Sequence, residues 1–331
     1  MPGLLDSVNL GSLRLKNRIV MPPMATSKAT RKGEVTTSQI KHYVERCRDL
    51  GLLIVEHSYV IPNGKLSPNQ LGIYDDVLIT GLSRLVKAVH EQGTPIAAQI
   101  SHAGARTTFS VIGTQPVGPS PTIVFQEASR ELSIEEIDGV IEAFGFAAQR
   151  TVKAGFDAIE VHGAHGFLLN QFLSPLTNKR QDEYGGSFEK RAHFAIRVFK
   201  RVRKEVGEEF PVLYRLGADD FREGGLPLNE AKMFAALLVE AGVDALDVSA
   251  GIGGSNPQGV SGQGYLFHLA EEIKKAVSVP VIGVGGVTEA EFADKAVRDG
   301  RVDMVAVGRA LLTDPKWAEK AVKTFQSAAV R

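Results

Sequence analysis

Two histidines with two small residues between them are the part of this sequence best suited to chemistry. His162 and His165 follow an apolar run and flank Gly163 and Ala164. At this spacing two imidazole rings can converge on one point, as metal ligands, as core side chains with polar partners, or as paired hydrogen-bond donors. A metal would need a third ligand, and we expect Glu160 to face away from a site that His162 faces. We favour paired donors, which would hold a carbonyl or phenolic oxygen and stabilise charge that develops on it.

The scaffold around this pair consists of eight short apolar runs, each followed by a helical pattern. The runs cover 18–24, 51–57, 95–101, 157–162, 211–217, 243–249, 279–285 and 302–308. Near-continuous apolar strands that alternate with helices predict an α/β protein with a parallel sheet. Eight units predict a closed (β/α)8 TIM barrel, whereas an open doubly wound sheet would have a glycine-rich turn after its first strand. Here that turn reads Pro22-Pro23-Met24-Ala25, which favours the barrel.

Helices, a hairpin and a loop complete the predicted architecture. The helical segments lie near 37–50, 77–92, 133–154, 188–206, 228–241, 264–277, 288–299 and 314–326. Ser133 with Glu136, and Thr288 with Glu291, have the spacing of capping boxes. The Leu10-Gly-Ser-Leu13 sequence predicts an N-terminal β-hairpin before the first core strand. A long polar loop is expected after the histidine pair. No linker or charge block divides the chain, so residues 1–331 are predicted to form a single domain.

Composition narrows the classes of partner. The 38 basic and 38 acidic residues cancel, which favours neither nucleic acid nor an anionic membrane surface. Cys47 is the single cysteine, which excludes an intrachain disulfide, a thiolate zinc site and a cysteine-ligated iron–sulfur cluster. No apolar run reaches the roughly 20 residues of a membrane span, and no signal-peptide pattern opens the sequence. We expect a cytoplasmic protein with a small-molecule substrate, no nucleic-acid or membrane partner, and no metal.

The loops after the last two strands are suited to a phosphate group. Active sites of barrels lie at the carboxyl ends of the strands, and phosphate is commonly held after strands 7 and 8. Gly285 and Gly286 follow the seventh run, and Gly308 and Arg309 follow the eighth. Glycines let backbone N–H groups approach the phosphate, and the arginine adds a charged fork. These residues could equally form tight turns and a surface ion pair. A phosphate site would fit either a sugar phosphate or flavin mononucleotide (FMN).

Gln99 and Arg215, at the ends of two other strands, bear on that choice. A buried amide can pair with the polar edge of a planar heterocycle, and an arginine beside it can stabilise the negative charge of a reduced flavin. Gln99 could instead be a satisfied core amide, and Arg215 could pair with Asp219 or Asp247. Together with the phosphate loops, the two residues favour a flavin.

Two longer motifs resemble those of a known family, the old yellow enzymes, which are flavin-dependent ene-reductases. One motif runs from Glu160 through Pro175 and continues to Arg191, and the other is Gln99-Ile-Ser-His-Ala-Gly104. The resemblance covers essentially the whole chain, and it is greatest to the bacterial thermophilic-like branch. It implies a barrel that holds FMN without a covalent bond and takes hydride from NADH or NADPH. An activated alkene would then bind with its carbonyl oxygen between the catalytic residues His162 and His165.

The resemblance also assigns residues to the flavin and to the assembly. Gln99 and Arg215 correspond to contacts with the flavin pyrimidine. The segments that line the isoalloxazine correspond to Pro23, Met24, Ala25 and His57, and the phosphate loops to Gly285, Gly286, Gly308 and Arg309. Members of the family form homo-oligomers, and a dimer or tetramer is compatible with this chain. Some relatives extend an arginine into the neighbouring subunit, a role for which Arg331 is the candidate.

This chain departs from the family at three positions in the substrate pocket. Phe167 replaces the usual tyrosine that gives a proton to the substrate, Ala25 replaces a Cys or Thr, and Ser27 replaces another tyrosine. Water, Tyr59, Tyr265, Ser27 or His57 would then have to supply the proton. We expect slow turnover of simple enones and better turnover of quinones.

Other functions remain open at this stage. A weakly catalytic flavin-binding protein and a different FMN-barrel dehydrogenase or demethylase are the main alternatives. A non-redox aldolase or isomerase would need a catalytic lysine or carboxylate, and no strand end carries a lysine. The longer iron–sulfur form of the superfamily is not expected, because the chain lacks the cysteines and ends early.

Overall fold

A short antiparallel hairpin covers one end of the fold. Strand β1 (Val8–Leu10) pairs with β2 (Leu13–Leu15), and Gly11 occupies the turn at φ +56°. Leu10 and Leu15 are fully buried in the same cluster as the apolar side chains of the barrel interior. The predicted N-terminal hairpin is therefore confirmed, and its two leucines close the end of the barrel opposite the carboxyl ends of the strands.

Eight parallel strands form a closed barrel in the computed structural model, which describes residues 2–329. The strands that follow the hairpin are β3 (Ile19–Met21), β4 (Leu52–Tyr59), β5 (Ile96–Ser101), β6 (Val117–Gly118), β7 (Arg130–Glu131), β8 (Ala158–Gly163), β9 (Val212–Gly217), β10 (Ala245–Ser249), β11 (Val281–Val284) and β12 (Met304–Ala306). The order around the barrel is β3-β4-β5-β8-β9-β10-β11-β12, while β6 and β7 form a separate pair. The predicted TIM barrel is confirmed, with each predicted strand at its expected place.

Helices surround the barrel. They are α1 (Thr37–Cys47), α2 (Ile79–His90), α3 (Phe109–Ile112), α4 (Ile134–Ala154), α5 (Leu168–Leu173), α6 (Phe188–Val206), α7 (Leu228–Glu240), α8 (Phe267–Ala276), α9 (Ala290–Arg298), α10 (Arg309–Thr313) and α11 (Trp317–Ala329). Eight match predicted segments, whereas α3, α5 and α10 were not expected. The prediction of a long polar loop after the histidines was wrong, because Leu168–Leu173 forms a helix with every residue buried. None of the helices within residues 2–329 has the length and hydropathy needed to cross a membrane.

The two predicted capping boxes had opposite outcomes. Ser133 accepts a hydrogen bond from the amide of Glu136 at 3.2 Å and donates its own amide to the Glu136 carboxylate at 2.9 Å, as a capping box requires. Thr288 does not cap α9. Its amide and that of Glu289 both donate to the side-chain oxygen of Gln263, at 2.8 and 2.9 Å. A residue from the loop after β10 thus binds the backbone just before this helix, a contact that local sequence spacing could not indicate.

Candidate active site

One large cavity opens at the carboxyl ends of the barrel strands, with a volume of about 1010 Å³. That volume lies at the upper end of the range of ligand pockets. Fourteen of the fifteen residues predicted for the site line this cavity, the exception being Ser27; the fourteen are Pro23, Met24, Ala25, His57, Gln99, His162, His165, Phe167, Arg215, Tyr265, Gly285, Gly286, Gly308 and Arg309.

Ser27 does not line the cavity, and the preceding residue, Thr26, is held by hydrogen bonds to Glu56. The amide of Thr26 donates to Glu56 at 2.9 Å and the hydroxyl of Thr26 donates to the same carboxylate at 2.5 Å. Glu56 is buried, and it also accepts a hydrogen bond from Gln39 at 2.6 Å. Ser27 follows with a left-handed φ of +54°. This anchor fixes the turn that carries Met24 and Ala25 to the cavity, and it leaves Ser27 beyond it.

His162 and His165 stand side by side on the cavity wall. His162 belongs to β8, and its ring centroid lies 5.4 Å from that of His165, with the rings nearly perpendicular at 77°. The chain turns sharply at His165, whose φ is +56°. His165 Nε2 lies 2.7 Å from the hydroxyl of Ser249 on β10. His162 Nδ1 is buried without a hydrogen-bond partner among the described residues.

Both histidines are held in the neutral form. Burial is the main cause that lowers the pKa of His162 well below its usual value, and the neighbouring His165 and Arg215 add to the effect. Burial, followed by Arg215 and Arg106, lowers the pKa of His165 in the same direction. A neutral imidazole has one N–H to donate and one nitrogen that accepts. The pair can therefore donate hydrogen bonds to an oxygen at neutral pH without first losing or gaining a proton.

A third histidine, His57, has its tautomer set by a neighbouring amide. The Gln70 side-chain oxygen accepts from the amide of Leu66 at 2.6 Å, which leaves its NH₂ group to donate to His57 Nδ1 at 2.7 Å. The proton of neutral His57 must then be on Nε2. Burial, with smaller contributions from Arg106 and Arg215, lowers the pKa of His57 to about 4. His57 is thus a further neutral donor in the cavity lining.

A charged layer lies inside the barrel next to the histidine pair. Gln99 donates to Glu160 at 2.7 Å, and Arg215 Nε lies 3.5 Å from Asp247 Oδ2. All four side chains are buried. Burial and then the charge of Asp247 raise the pKa of Glu160 well above its usual value. Burial also raises the pKa of Asp247, against the opposing effect of Arg215. Two acids facing one guanidinium in a dry layer are therefore expected to retain a proton.

The expectation that Glu160 faces away from the histidine site was wrong. Residues two apart on a strand point to the same side, and Glu160 shares the interior face of β8 with His162. Its carboxyl group is nevertheless engaged by Gln99. Within residues 2–329, no group of three His, Cys, Asp or Glu side chains is arranged to hold a metal ion.

The loops after β11 and β12 bring backbone and one arginine to the far side of the cavity. Gly286 has φ +65°, and a Cβ placed there would lie 2.5 Å from the backbone oxygen of Gly262. A Cβ on Gly308 would lie 3.1 Å from the sulfur of Met24. The Arg309 guanidinium lies over the ring of Tyr265, with Cζ 5.7 Å from the ring centroid. At Gly286 the backbone packs too closely against Gly262 for a larger residue, and both glycines line the cavity.

Comparison with known proteins agrees with this geometry. The model of the NADH:flavin oxidoreductase / NADH oxidase family matches residues 4–327. An NADH oxidase from Thermoanaerobacter brockii is 47% identical over 335 residues, which cover 98% of this chain and 52% of that protein. An NADPH dehydrogenase from Clostridium acetobutylicum is 40% identical over 318 residues, covering 94% of this chain and 92% of the relative. The structure of an old yellow enzyme homologue from Zymomonas mobilis superposes with a TM-score of 0.87 at 27% identity, covering 98% of this chain and 93% of that one.

The chain belongs to the NADH:flavin oxidoreductase / NADH oxidase family. The resemblance to the old yellow enzymes is confirmed, and the family is one of flavin oxidoreductases whose relatives are named as NADH oxidase and NADPH dehydrogenase. The chain spans about half the length of the NADH oxidase, so its organisation as a single domain over residues 1–331 stays a prediction.

The cavity residues of this family member fit an FMN molecule. Arg215 Nε is buried and has no hydrogen-bond partner among the described residues, an arrangement that a polar ring edge would satisfy. Gln99 uses its NH₂ group on Glu160, which leaves its oxygen to accept from a ligand. The glycine loops provide the close backbone approach that a phosphate group needs.

Several lining residues were not identified from the sequence. They are Leu66, Arg106, Ser255, Asn256 and Gln263. Arg106 stands two positions beyond the distinctive motif that ends at Gly104, so extending that motif to the next charged residue would have found it. The loop that carries Ser255, Asn256 and Gln263 has no pattern that marks it as part of a site.

Proposed function

We propose that this protein uses NADH or NADPH to reduce activated C=C bonds of α,β-unsaturated carbonyl compounds, or quinones, with the substrate oxygen held by His162 and His165. The observation that carries the proposal is the pair of neutral histidines, with rings 5.4 Å apart, in the lining of a cavity that fits FMN. Neutral donors preorganised in a buried site stabilise negative charge as it develops on a carbonyl oxygen.

FMN would be held from both sides of the cavity. Gln99 and Arg215 would bind the pyrimidine edge, Gly285, Gly286, Gly308 and Arg309 the phosphate, and Pro23, Met24, Ala25 and His57 would line the ring system. When bound, FMN supplies hydride transfer from the nicotinamide to the acceptor. Arg215 is paired with Asp247 at 3.5 Å, which keeps its guanidinium in place beside the ring edge.

The source of the substrate proton separates enones from quinones. Phe167 lines the cavity and has no proton to give. Tyr59 is not in the cavity lining, and Tyr265 lies beside Arg309. His57 lies 5.0 Å from the Phe167 ring, but a pKa of about 4 leaves it without an acidic proton at neutral pH. Water is therefore the proton source that we propose, which favours quinones over simple enones.

The missing hydroxyl group at Phe167 also supports a second candidate, a flavin-binding protein with little catalysis. A different FMN-barrel dehydrogenase or demethylase would use the same cofactor site. For the intact protein we further propose a cytoplasmic location and a homo-oligomer, a dimer or tetramer. Arg331, the candidate for reaching a neighbouring subunit, lies outside the described residues.

The histidine pair is tested by substitution in flavin-loaded protein. His162→Ala should lower kcat on cyclohexenone by about 10²–10³, the usual effect of removing one oxyanion donor, without loss of bound FMN. His193→Ala is the matched control, since His193 lies on the surface beside Glu183.

The cofactor is tested first by the absorption spectrum and by anaerobic titration with NADH and with NADPH. Bleaching of the flavin followed by reoxidation with cyclohexenone or a quinone supports the proposed reaction. A protein that binds FMN but is bleached by neither nucleotide would instead be the weakly catalytic flavin-binding protein.

A further inference from the structure

Arg106 brings a positive charge to the histidine side of the cavity. It ends the 3₁₀ turn Gly104–Arg106 that follows β5, and it lines the cavity. One N–H of its guanidinium donates to the backbone oxygen of His165. The guanidinium lies over the Phe167 ring, with Cζ 5.5 Å from the centroid, and the His162 ring lies 4.2 Å from the same ring. The cation is thus next to the place proposed for the acceptor.

This charge has no acidic partner among the described residues. The buried arginines of the described chain have partners: Arg180 pairs with Asp182, Arg191 with Glu230 and Arg215 with Asp247, while Arg18 donates to the backbone oxygens of Asp303 and Ser7. Burial alone lowers the pKa of Arg106, with no acidic neighbour to oppose it. A half-buried cation that lines a cavity without a counter-ion can pair with a ligand that supplies the negative charge.

We propose that Arg106 binds a carboxylate on the electron acceptor, and that the preferred acceptors are enones or enals with a carboxylate close to the double bond. This inference rests on the proposed function. The carbonyl oxygen would lie at His162 and His165 while the carboxylate pairs with the guanidinium. The C=C bond gains a hydride that originates from NAD(P)H and a proton from water, giving the saturated acid and NAD(P)⁺. The carboxylate is unchanged by the reaction.

The single phosphate group of FMN does not need this arginine. The proposed phosphate loops follow β11 and β12, and Arg309 supplies a cation there. In the order of strands around the barrel, β12 lies opposite β8, which carries His162. Arg106 is therefore on the acceptor side of the cavity.

The charge preference is tested with 4-oxopent-2-enoate and its methyl ester, an acid and a neutral analogue of one shape. Arg106→Gln should lower kcat/KM for the acid by about 10- to 100-fold, the effect of losing a charge-assisted hydrogen bond, and should change the ester little. Arg106→Lys should restore part of the loss. Arg197→Gln, which removes an arginine paired with Asp138 on the outer surface, should affect neither.

Equal losses for acid and ester would overturn the proposal and leave Arg106 as a support for the His165 turn. A loss confined to reduction by NAD(P)H would overturn it in favour of a nucleotide contact.

Binding is measured separately by calorimetry with 4-oxopentanoate and its methyl ester, which have no C=C bond to reduce. Wild-type protein should bind the acid more tightly than the ester, and Arg106→Gln should abolish that difference. If the protein showed this preference for the acid but reduced no alkene, the anion site would be supported and the proposed function would be contradicted. The absence of any preference for the acid in wild-type protein that does reduce cyclohexenone would overturn the anion site alone.

Discussion

The Phe167 ring lies 4.2 Å from the His162 ring and 5.0 Å from the His57 ring, centroid to centroid. A hydroxyl group on this ring would enter the cavity beside the proposed carbonyl site. Phe167→Tyr should raise kcat on cyclohexenone, by as much as the 10²-fold lower end of general-acid catalysis. The gain should be small on a quinone, since its reduced product takes protons on oxygen from water.

The control for this substitution is Phe109→Tyr, because Phe109 is 60% exposed and does not line the cavity. Steady-state rates with saturating NADPH are compared for both acceptors. An equal rise in rate with the enone and the quinone would mean that the hydroxyl group acts on the flavin or on entry of the substrate into the cavity. An unchanged rate with the enone would contradict a role for Phe167 in limiting turnover.

Residue types at strand ends were the most informative part of the sequence. His162, Gln99 and Arg215 could be assigned to the cavity because the carboxyl ends of barrel strands meet there. The contact of Thr26 with Glu56, which leaves Ser27 outside, joins residues 30 positions apart. The position of Arg106 in the cavity lining likewise depends on the conformation of the loop after β5. Such contacts are set by tertiary packing, which spacing along the chain does not encode.

At the scale of elements, the loop after β11 depends on Gly286. Gly286→Ala should weaken FMN binding, because its Cβ would lie 2.5 Å from the Gly262 oxygen in a backbone with φ +65°. Gly300→Ala is a matched control, with φ +74° and nothing within 4 Å of the added Cβ. Both substitutions share the strain of a left-handed residue, about 1–3 kcal/mol.

The two variants are compared by FMN titration and by urea unfolding. Only Gly286→Ala should lose affinity for FMN, whereas both should lose stability. Equal FMN affinity in the two variants would show that the close approach at Gly286 is not needed to hold the cofactor.

The order of strands and helices could be predicted because their periodicity is local. Eight apolar runs with intervening helical patterns became the eight barrel strands and eight of the helices. The exceptions depend on distant residues. Gln263 binds the backbone before α9. The helix α5 is buried, and its Phe172 ring lies 4.2 Å from that of Phe194 on α6.

At the scale of the whole molecule, a buried neutral histidine makes the free energy of unfolding depend on pH. Burial lowers the pKa of His102 to about 3, from a usual value of 6.5. Between these values the unfolded chain binds a proton that the native protein does not, so this residue lowers the free energy of unfolding as pH falls below 6.5. The effect approaches about 1.4 kcal/mol per pH unit.

The contribution of His102 is isolated by comparing wild type with His102→Gln in urea at pH 7.5, 6 and 5. Wild type should lose more stability than the variant as pH falls. His193→Gln, on a side chain that is 40% exposed, is the control. Parallel loss of stability in wild type and His102→Gln would contradict the assignment of a neutral buried His102.

Hydrogen bonds connect the loops at the rim of the cavity to one another. Arg106 binds the backbone of the His165 turn, Gln263 binds the backbone before α9, and Glu56 binds the Thr26 turn. Each of these hydrogen bonds joins the side chain of one segment to the main chain of another. Transferring one rim loop between members of this family, to change the range of acceptors, would therefore require transferring the loop to which it is hydrogen-bonded as well.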